Sequence, residues 1–407
     1  MNIKSIIKIL FFPWITLFLF PFKHLVRKKR VIILQTYNRH FYCDNTRYLY
    51  EFLSKKDDLE VYWVTDDKRI KQSIANNGWK YISWNKPFHM IYVALKAKVI
   101  IDNGDSFFNP FNITNTKKTI KICLQHGCGP KIIARGKDIE TSIRQIKKFN
   151  SFDYVNFPSK FSAEYMGKNM YCLPDKKIIS LGYPRCDQFF NKALVSKSFK
   201  AKKIATKIIP GFTPKDKIIL YTPTWRPYNY DSFPLTKIEG FNLKKFNKWL
   251  EDNNMFLCCS FHSKSKANEK IGNDNRVIFL DREINYSFDL NQFMMEVDVL
   301  LNDFSTTSTD FALLDRPQIF FMPDYDEYSA SKGFFEDYRN TLNGAEVFTY
   351  KELINTLDEI LVNEVLYKNK FLENHLNLMQ KYYDSYKNKS CEESYKLIID
   401  ELEKGVV

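Results

Sequence analysis

The residues with the clearest chemical potential lie in LQHGCGPKIIARGKD, Leu124 to Asp138. Thr119 to Leu124 reads as a strand, so His126 stands at its mouth, where Gly127 and Gly129 permit a sharp turn and close approach of a ligand. Pro130 suits the first position of a helix whose free N–H groups would face an anion. The plain chemistry is a phosphate site with a proton acceptor beside it. From these residues alone a second reading stays open, in which His126 is a loop histidine satisfied by local hydrogen bonds. Three further polar clusters each follow an apolar run: Thr222 to Arg226 after IILY, His262-Ser263-Lys264 after FLCCSF, and Asn302 to Ser308 after VDVLL. Open parallel sheets bind ligands just beyond the carboxyl ends of their strands. In the last cluster, hydroxyls and backbone N–H groups meet at a helix start, which suits a diphosphate. An ordinary N-cap uses the same residue types, and that alternative is also open.

The elements that must position these residues are short apolar runs separated by helix-length segments. Val31 to Gln35, Val61 to Thr65, Val99 to Asp102, Phe152 to Phe157 and Ile178 to Leu181 read as strands, with a helix over Arg47 to Lys55. After a Lys-rich connection over 191–217, the alternation resumes with Ile218 to Tyr221, Met255 to Phe261, Val277 to Leu280, Val299 to Leu301 and Gln318 to Phe321. Asn242 to Glu251 and Thr309 to Leu314 read as helical pieces of this second half. Such alternation predicts an α/β chain with parallel sheets covered on both faces. Four regions result: a membrane-associating segment over 1–30, an N-terminal α/β lobe over 31–200, a C-terminal α/β lobe over 201–350, and C-terminal helices over 351–407 that would wrap back across the lobes. The first region rests on the apolar run Ile6 to Phe22 and the basic flank Arg27 to Arg30. The run is at the lower edge of what spans a bilayer, roughly 17–25 residues. It lacks a small-residue cleavage site, and its basic flank favours the cytoplasmic side next to anionic lipid. A buried N-terminal helix is the competing reading.

With 407 residues the chain exceeds one ordinary core. Its net charge of +14 attracts phosphates, nucleic acid or an anionic membrane. The basic residues are dispersed and no zinc-finger or RNA-recognition pattern occurs, which argues against nucleic acid. The 35 Phe and 24 Tyr mark a globular chain rather than a charged disordered one. The 8 cysteines form no CxxC pair, as expected of reduced thiols, and Cys123, His126 and Cys128 have no second cluster to complete a zinc set. No metal site is expected. Neither G-x-G-x-x-G nor G-x-x-x-x-G-K-[ST] nor G-x-S-x-G is present, so dinucleotide, P-loop and α/β-hydrolase chemistry lose ground. The nearest carboxylate pairings to an Asp-x-Asp motif are Asp66-Asp67, Asp102-x-x-Asp105 and Asp324-x-Asp326, and a metal-dependent nucleotide-sugar site of that kind has no obvious ligands.

Taken together, HGCGPKIIARGKD (126–138), LGYPRCDQFF (181–190), ILYTPTWRP (219–227), SFH (260–262), NDFSTTSTDFALLDRPQIFFMPDYDEY (302–328) and GFFEDY (333–338) resemble the CDP-glycerol glycerophosphotransferase family. These enzymes build teichoic acids and related polyol-phosphate polymers, and the resemblance covers about residues 120–345 in the family's order. It implies a two-lobe GT-B-type fold of Rossmann-like halves, peripheral membrane association, and a donor held mainly on the C-terminal lobe. The implied reaction moves glycerol phosphate, or a related polyol phosphate, from a CDP-activated donor to a hydroxyl of a membrane-held or lipid-linked acceptor, at the cytoplasmic face of the cell membrane. No cofactor beyond the donor substrate is implied. The resemblance gives His126 the role of general base and places His262 on the phosphates as hydrogen-bond donor or acid. Gly127, Arg185, Thr224, Trp225, Ser305, Thr306 and Asp310 become donor-binding residues, with Arg226 and Asp303 supporting. Family members usually read HGTP where this chain has His126-Gly127-Cys128-Gly129, and a Ser-Ser pair where it has Ser305-Thr306. Two other classes compete: a GT-B glycosyltransferase using a nucleotide-sugar, and a non-catalytic membrane-surface protein that binds an anionic polymer.

Overall fold

In the computed structural model, the residues described are 17–22, 29–36, 39–104, 113–114, 116–129, 131–132, 139–224, 226, 235, 238–261, 276–280, 288–384 and 389–404. The apolar runs fold as strands because both of their faces are covered. In β1 (Lys29–Leu34), Ile32 and Leu34 enter one core with Leu49, Tyr50 and Trp63, while Val31 and Ile33 enter another with Met90 and Val93. That split is the period-two geometry of a strand packed between helices. Each fully buried aliphatic side chain contributes about 1.5–3 kcal/mol relative to exposure.

Among the described residues the first sheet has seven strands: β1, β2 (Glu60–Val64), β3 (Lys80–Ile82), β4 (Ala97–Asp102), β5 (Ile120–Cys123), β6 (Tyr154–Phe157) and β7 (Ile178–Ser180), in the order β3-β2-β1-β4-β5-β6-β7. The second has six: β8 (Lys217–Thr222), β9 (Met255–Cys259), β10 (Val277–Phe279), β11 (Val299–Asn302), β12 (Gln318–Phe321) and β13 (Ala345–Val347), in the order β10-β9-β8-β11-β12-β13. Every pairing is parallel, with Ile32 facing both Val61 and Val99 in the first sheet and Leu300 facing both Leu220 and Gln318 in the second. Each order reverses direction once, between β1 and β4 and between β8 and β11, which makes both sheets doubly wound with a crevice at the reversal.

One core cluster joins the sheets, combining Cys128, Phe157 and Tyr183 with Leu220, Cys258, Leu300 and Phe311. The C-terminal helix Ser390–Glu403 returns to the first sheet, placing Cys391, Ile398 and Leu402 in the core of Ile32 and Leu34. Tyr154 donates to Glu401 at 2.7 Å from that sheet.

Other details extend the sequence reading or differ from it. The connection over 191–217 contains the helices Lys192–Ala201 and Lys203–Ile208, the second held by Glu296, which accepts from the N–H groups of Ile204 and Ala205. Pro130, the expected helix start, lies outside the described residues; Lys131 bridges to Phe334, and the next helix among the described residues is Ile139–Asn150. The short strands β3 and β13 carry no long apolar run and escape a reading based on such runs. Residues 1–16 and 23–28 of the expected membrane segment lie outside the described residues. Residues 17–22 are helical, with Leu19 buried in the core of Val31 and Met90. No helix among the described residues is long and apolar enough to cross a membrane.

Candidate active site

Hydrogen bonds between threonine and asparagine close both reversal points. Asn103 after β4 donates from Nδ2 to Thr36 Oγ1 at 3.3 Å, and Thr222 Oγ1 at the end of β8 donates to Asn302 Oδ1 at 2.8 Å. His126 follows β5, next to the first of these points. Gln125 before it takes a left-handed conformation, φ +59°, which turns the chain out of the strand line and leaves the imidazole exposed. His126 Nδ1 lies 3.3 Å from the Asn103 carbonyl. A carbonyl oxygen only accepts, so this bond requires the proton on Nδ1 and makes Nε2 the ring nitrogen that can accept a proton.

The two glycines explain how the loop meets the other lobe. A Cβ on Gly127 would sit 2.7 Å from Thr306 Oγ1, and one on Gly129 would sit 2.8 Å from Thr306 Cγ2. Only glycine lets the backbone come so close. Thr309 Oγ1 donates to the Cys128 carbonyl at 3.2 Å, and Ile132 N donates to the Gly333 carbonyl at 3.2 Å. The His126 loop is thus docked along the start of the helix Thr307–Ala312. Cys128 is buried with its Sγ 2.8 Å from Ser162 Oγ, and burial pushes its thiol up to about 12, so it is inert packing at neutral pH.

On the other side, Ser305 Oγ accepts from the Thr307 N–H at 3.3 Å and pairs with Thr307 Oγ1 at 3.0 Å. Ser305 therefore closes a local turn before the helix, while Thr306, the N-cap residue, makes no side-chain capping bond and faces the two glycines. Asp303 is buried and accepts from Thr224 N and Thr224 Oγ1 at 2.9 and 2.8 Å and from Arg226. Arg226 also forks onto Asp324 at 2.9 and 2.8 Å, with Phe304 and Tyr328 rings within 5.2 and 5.6 Å of its guanidinium. Burial opposes the Arg226 charge, but the two carboxylates more than offset it and raise its pKa. Arg226 and Asp303, expected as supporting residues, are engaged with each other, Arg226 clamped between Asp303 and Asp324 and Asp303 shared between Arg226 and Thr224. Together they brace the Thr224 loop against the Ser305 loop.

Arg185 and Asp310 are brought together, and their polar atoms meet each other rather than open space. Arg185 Nε donates to Asp310 at 2.8 Å and its NH1 to Asp44 at 2.7 Å, all three side chains being buried or nearly so. Tyr383 OH adds a 2.9 Å bond to Asp310. Burial works against the Arg185 charge, yet Asp310 and Asp44 hold its pKa well above the ordinary value, while burial raises that of Asp44. Each arginine faces two carboxylates, so neither adds net positive charge for a diphosphate. His262 and Trp225 lie outside the described residues. Sequence reasoning did not single out Asp44, Asn45, Thr309 or Tyr383. The Asp-Asn pair at the start of a helix was the available signal for the first two, and Tyr383 offered none. Among the described residues no three His, Cys, Asp or Glu side chains gather as metal ligands.

Residues 17–398 match the family described as CDP-Glycerol:Poly(glycerophosphate) glycerophosphotransferase. A teichoic acid poly(glycerol phosphate) polymerase of Bacillus spizizenii is 26% identical over 395 residues, covering 93% of this chain and 93% of the relative. A polymerase of the same description from Staphylococcus epidermidis is 24% identical over 82% of this chain, which spans only 46% of that relative's length. Among solved structures, the wall teichoic acid polymerase TagF superposes with a TM-score of 0.77 at 18% identity, covering 100% of both chains, a likeness of fold. With both sheets, the histidine loop and the serine-threonine cluster in the expected order, and the match extending over nearly the whole sequence, the chain belongs to the CDP-glycerol:poly(glycerophosphate) glycerophosphotransferase family.

Proposed function

We propose that this chain transfers glycerol phosphate, or a related polyol phosphate, from a CDP-activated donor to a hydroxyl of a polyol-phosphate or glycan acceptor held at a membrane. The observation that carries the reading is the contact of Gly127 and Gly129 with Thr306, which sets an exposed imidazole beside the hydroxyl cluster at the reversal point of the second sheet. The acceptor oxygen attacks the β-phosphorus, the bond from that phosphorus to the bridging oxygen breaks, and CMP leaves. The acceptor proton passes to His126 Nε2. Ser305 and Thr306 contribute hydroxyls to the diphosphate, and Arg185, Arg226, Asp303 and Asp310 hold the surrounding loops in place. Thr224 lies on the nucleotide side, with its hydroxyl turned to Asp303. Trp225 and His262 join the donor side by family pattern. Purified protein given CDP-glycerol or CDP-ribitol with a polyol-phosphate acceptor should release CMP only with acceptor present. Release of a nucleoside diphosphate from a nucleotide-sugar instead would overturn the reading.

The membrane is the proposed location of the acceptor, at its anionic cytoplasmic face. Leu17, Phe18, Phe20 and Phe22 are exposed, and Phe88, at 87% exposure, and Tyr92 are exposed on the helix Pro87–Lys96, whose inner face shares a core with Leu19. Lys29 and Arg30 at the start of β1 and Lys86 at the N-cap of that helix are exposed as well. Aromatic residues beside basic ones suit a surface-lying mode of attachment. Deleting residues 1–30 would remove Leu19 and the first two residues of β1, so substitution is the cleaner test. Phe18→Ser with Phe88→Ser should abolish sedimentation with anionic vesicles and leave turnover on a soluble acceptor intact. Undiminished vesicle binding would remove this face from the account.

A further inference from the structure

The helix Asp44–Leu53 begins directly beneath the His126 loop, and its second residue ties that loop down. Asn45 is fully buried; its Nδ2 donates to the Gln125 carbonyl at 2.9 Å and faces the Leu124 carbonyl at 3.4 Å. Its Oδ1 accepts from the Arg185 N–H at 3.2 Å. Those partners fix the amide orientation, since carbonyls only accept and an N–H only donates. Gln125 is a non-glycine residue at φ +59°, a conformation that costs of order 1–3 kcal/mol and persists only where neighbours enforce it. Asn45 bonds the carbonyl of that very residue. On its other side the connection continues through Arg185, which pairs with Asp44 in the first lobe and with Asp310 on the helix Thr307–Ala312 of the second.

We propose that Asn45 is the positioning residue for His126. It holds Gln125 in the left-handed turn that directs the imidazole outward, and through Arg185 and Asp310 it links that turn to the docking of the two lobes. The inference rests on the reading of His126 as the base of the transfer reaction. A residue that only stabilised the fold would alter melting temperature; a positioning residue alters turnover at constant donor affinity.

The test compares wild type with Asn45→Ala and with Asn45→Asp, which keeps the shape but loses the donor. Both should lower kcat by about 10–100-fold, the scale of a misplaced catalytic group, with CDP-glycerol affinity by calorimetry changed less than about twofold, the size of a peripheral effect. Gln125→Gly in the Asn45→Ala background should restore part of kcat, because glycine takes the left-handed conformation without being held. Nitrogen chemical shifts of His126, assigned by their loss in His126→Gln, provide a readout that needs no turnover. Wild type should show the proton on Nδ1, and Asn45→Ala a mixture of tautomers. Wild type carrying the proton on Nε2 would overturn the inference without any variant having to fold. So would an unchanged tautomer or unchanged kcat in folded Asn45→Ala, or no recovery with Gln125→Gly. Absence of CMP release by wild type with every donor would overturn the proposed function instead, and the nitrogen shifts would still decide the role of Asn45.

Discussion

At the end of β11, Asn302 accepts from Thr222 and donates to the Ser305 carbonyl at 3.0 Å, and the neighbouring Asp303 is engaged by Thr224, Phe304 N and Arg226. At the matching end of β4, Asn103 donates to Thr36, but among the described residues its Oδ1 has no hydrogen-bond partner, and neither has Gln125 Nε2 beside His126. The same strand order therefore supports two kinds of polar site. At the end of β11 the side chains of Asn302 and Asp303 are engaged within the protein, which is the condition for holding an anion with fixed dipoles, although elsewhere in this lobe Gln318 Oε1 and Asn343 Oδ1 have no partner among the described residues. The first lobe leaves buried donors and acceptors unmet, at about 1–3 kcal/mol each, next to an exposed imidazole. A hydroxyl, which both donates and accepts, complements such a pair.

The largest expected effect breaks the satisfied side. Arg226→Met leaves Asp303 and Asp324 facing each other without a cation and should cost about 3–5 kcal/mol in urea unfolding, as for a broken buried ion pair. A loss below about 1 kcal/mol would place the pair among weak surface-type bridges and dissolve the contrast between lobes. Next in size, Ser305→Ala with Thr306→Ala should weaken CDP-glycerol binding by about 1.5–3 kcal/mol per lost bond to a charged group. Calorimetry that finds unchanged affinity would reduce the cluster to a helix cap.

The unsatisfied side predicts a smaller change. Asn103→Leu should raise the acceptor KM about 3–10-fold, the worth of one neutral hydrogen bond, and leave donor affinity alone. A higher melting temperature with unchanged acceptor KM would show that the unmet atoms serve no substrate. The smallest effect concerns the departure at Cys128. At pH 8 a maleimide should label the exposed Cys172 in the native protein and leave Cys128 unmodified, since burial pushes that thiol up to about 12. Rapid labelling of Cys128 would mean that the His126 loop is not docked as described.

The strands were legible where a run of apolar residues had to be covered on both faces, as in Val31 to Leu34 and Val299 to Leu301. β3 and β13 were not, because strands of three residues with a single buried side chain leave no periodicity to read. The site was legible as segments: the histidine loop, the Thr224 loop and the Ser305 loop all follow strands as expected. Pairings between distant residues were not. Nothing local in Pro184-Arg185 announces that the guanidinium meets Asp44 and Asp310, and nothing local at Arg226 announces its enclosure by Asp303 and Asp324. Family pattern supplied roles for His126 and Asp310 that spacing alone left open. The C-terminal helices were expected to wrap back, but the burial of Ile398 against Ile32 is a tertiary fact.

The central claim is that a base on the first lobe serves a donor held on the second. It is tested most directly by pairing two measurements on His126→Ala: CDP-glycerol affinity by calorimetry, and CMP release with acceptor in a preparation shown to be folded. The account predicts donor affinity close to wild type and CMP release lower by about 10²–10⁴-fold, the usual loss of general-base help. Near-normal CMP release would contradict it and transfer the proton to another group, whereas loss of donor binding would place His126 on the phosphates rather than on the acceptor.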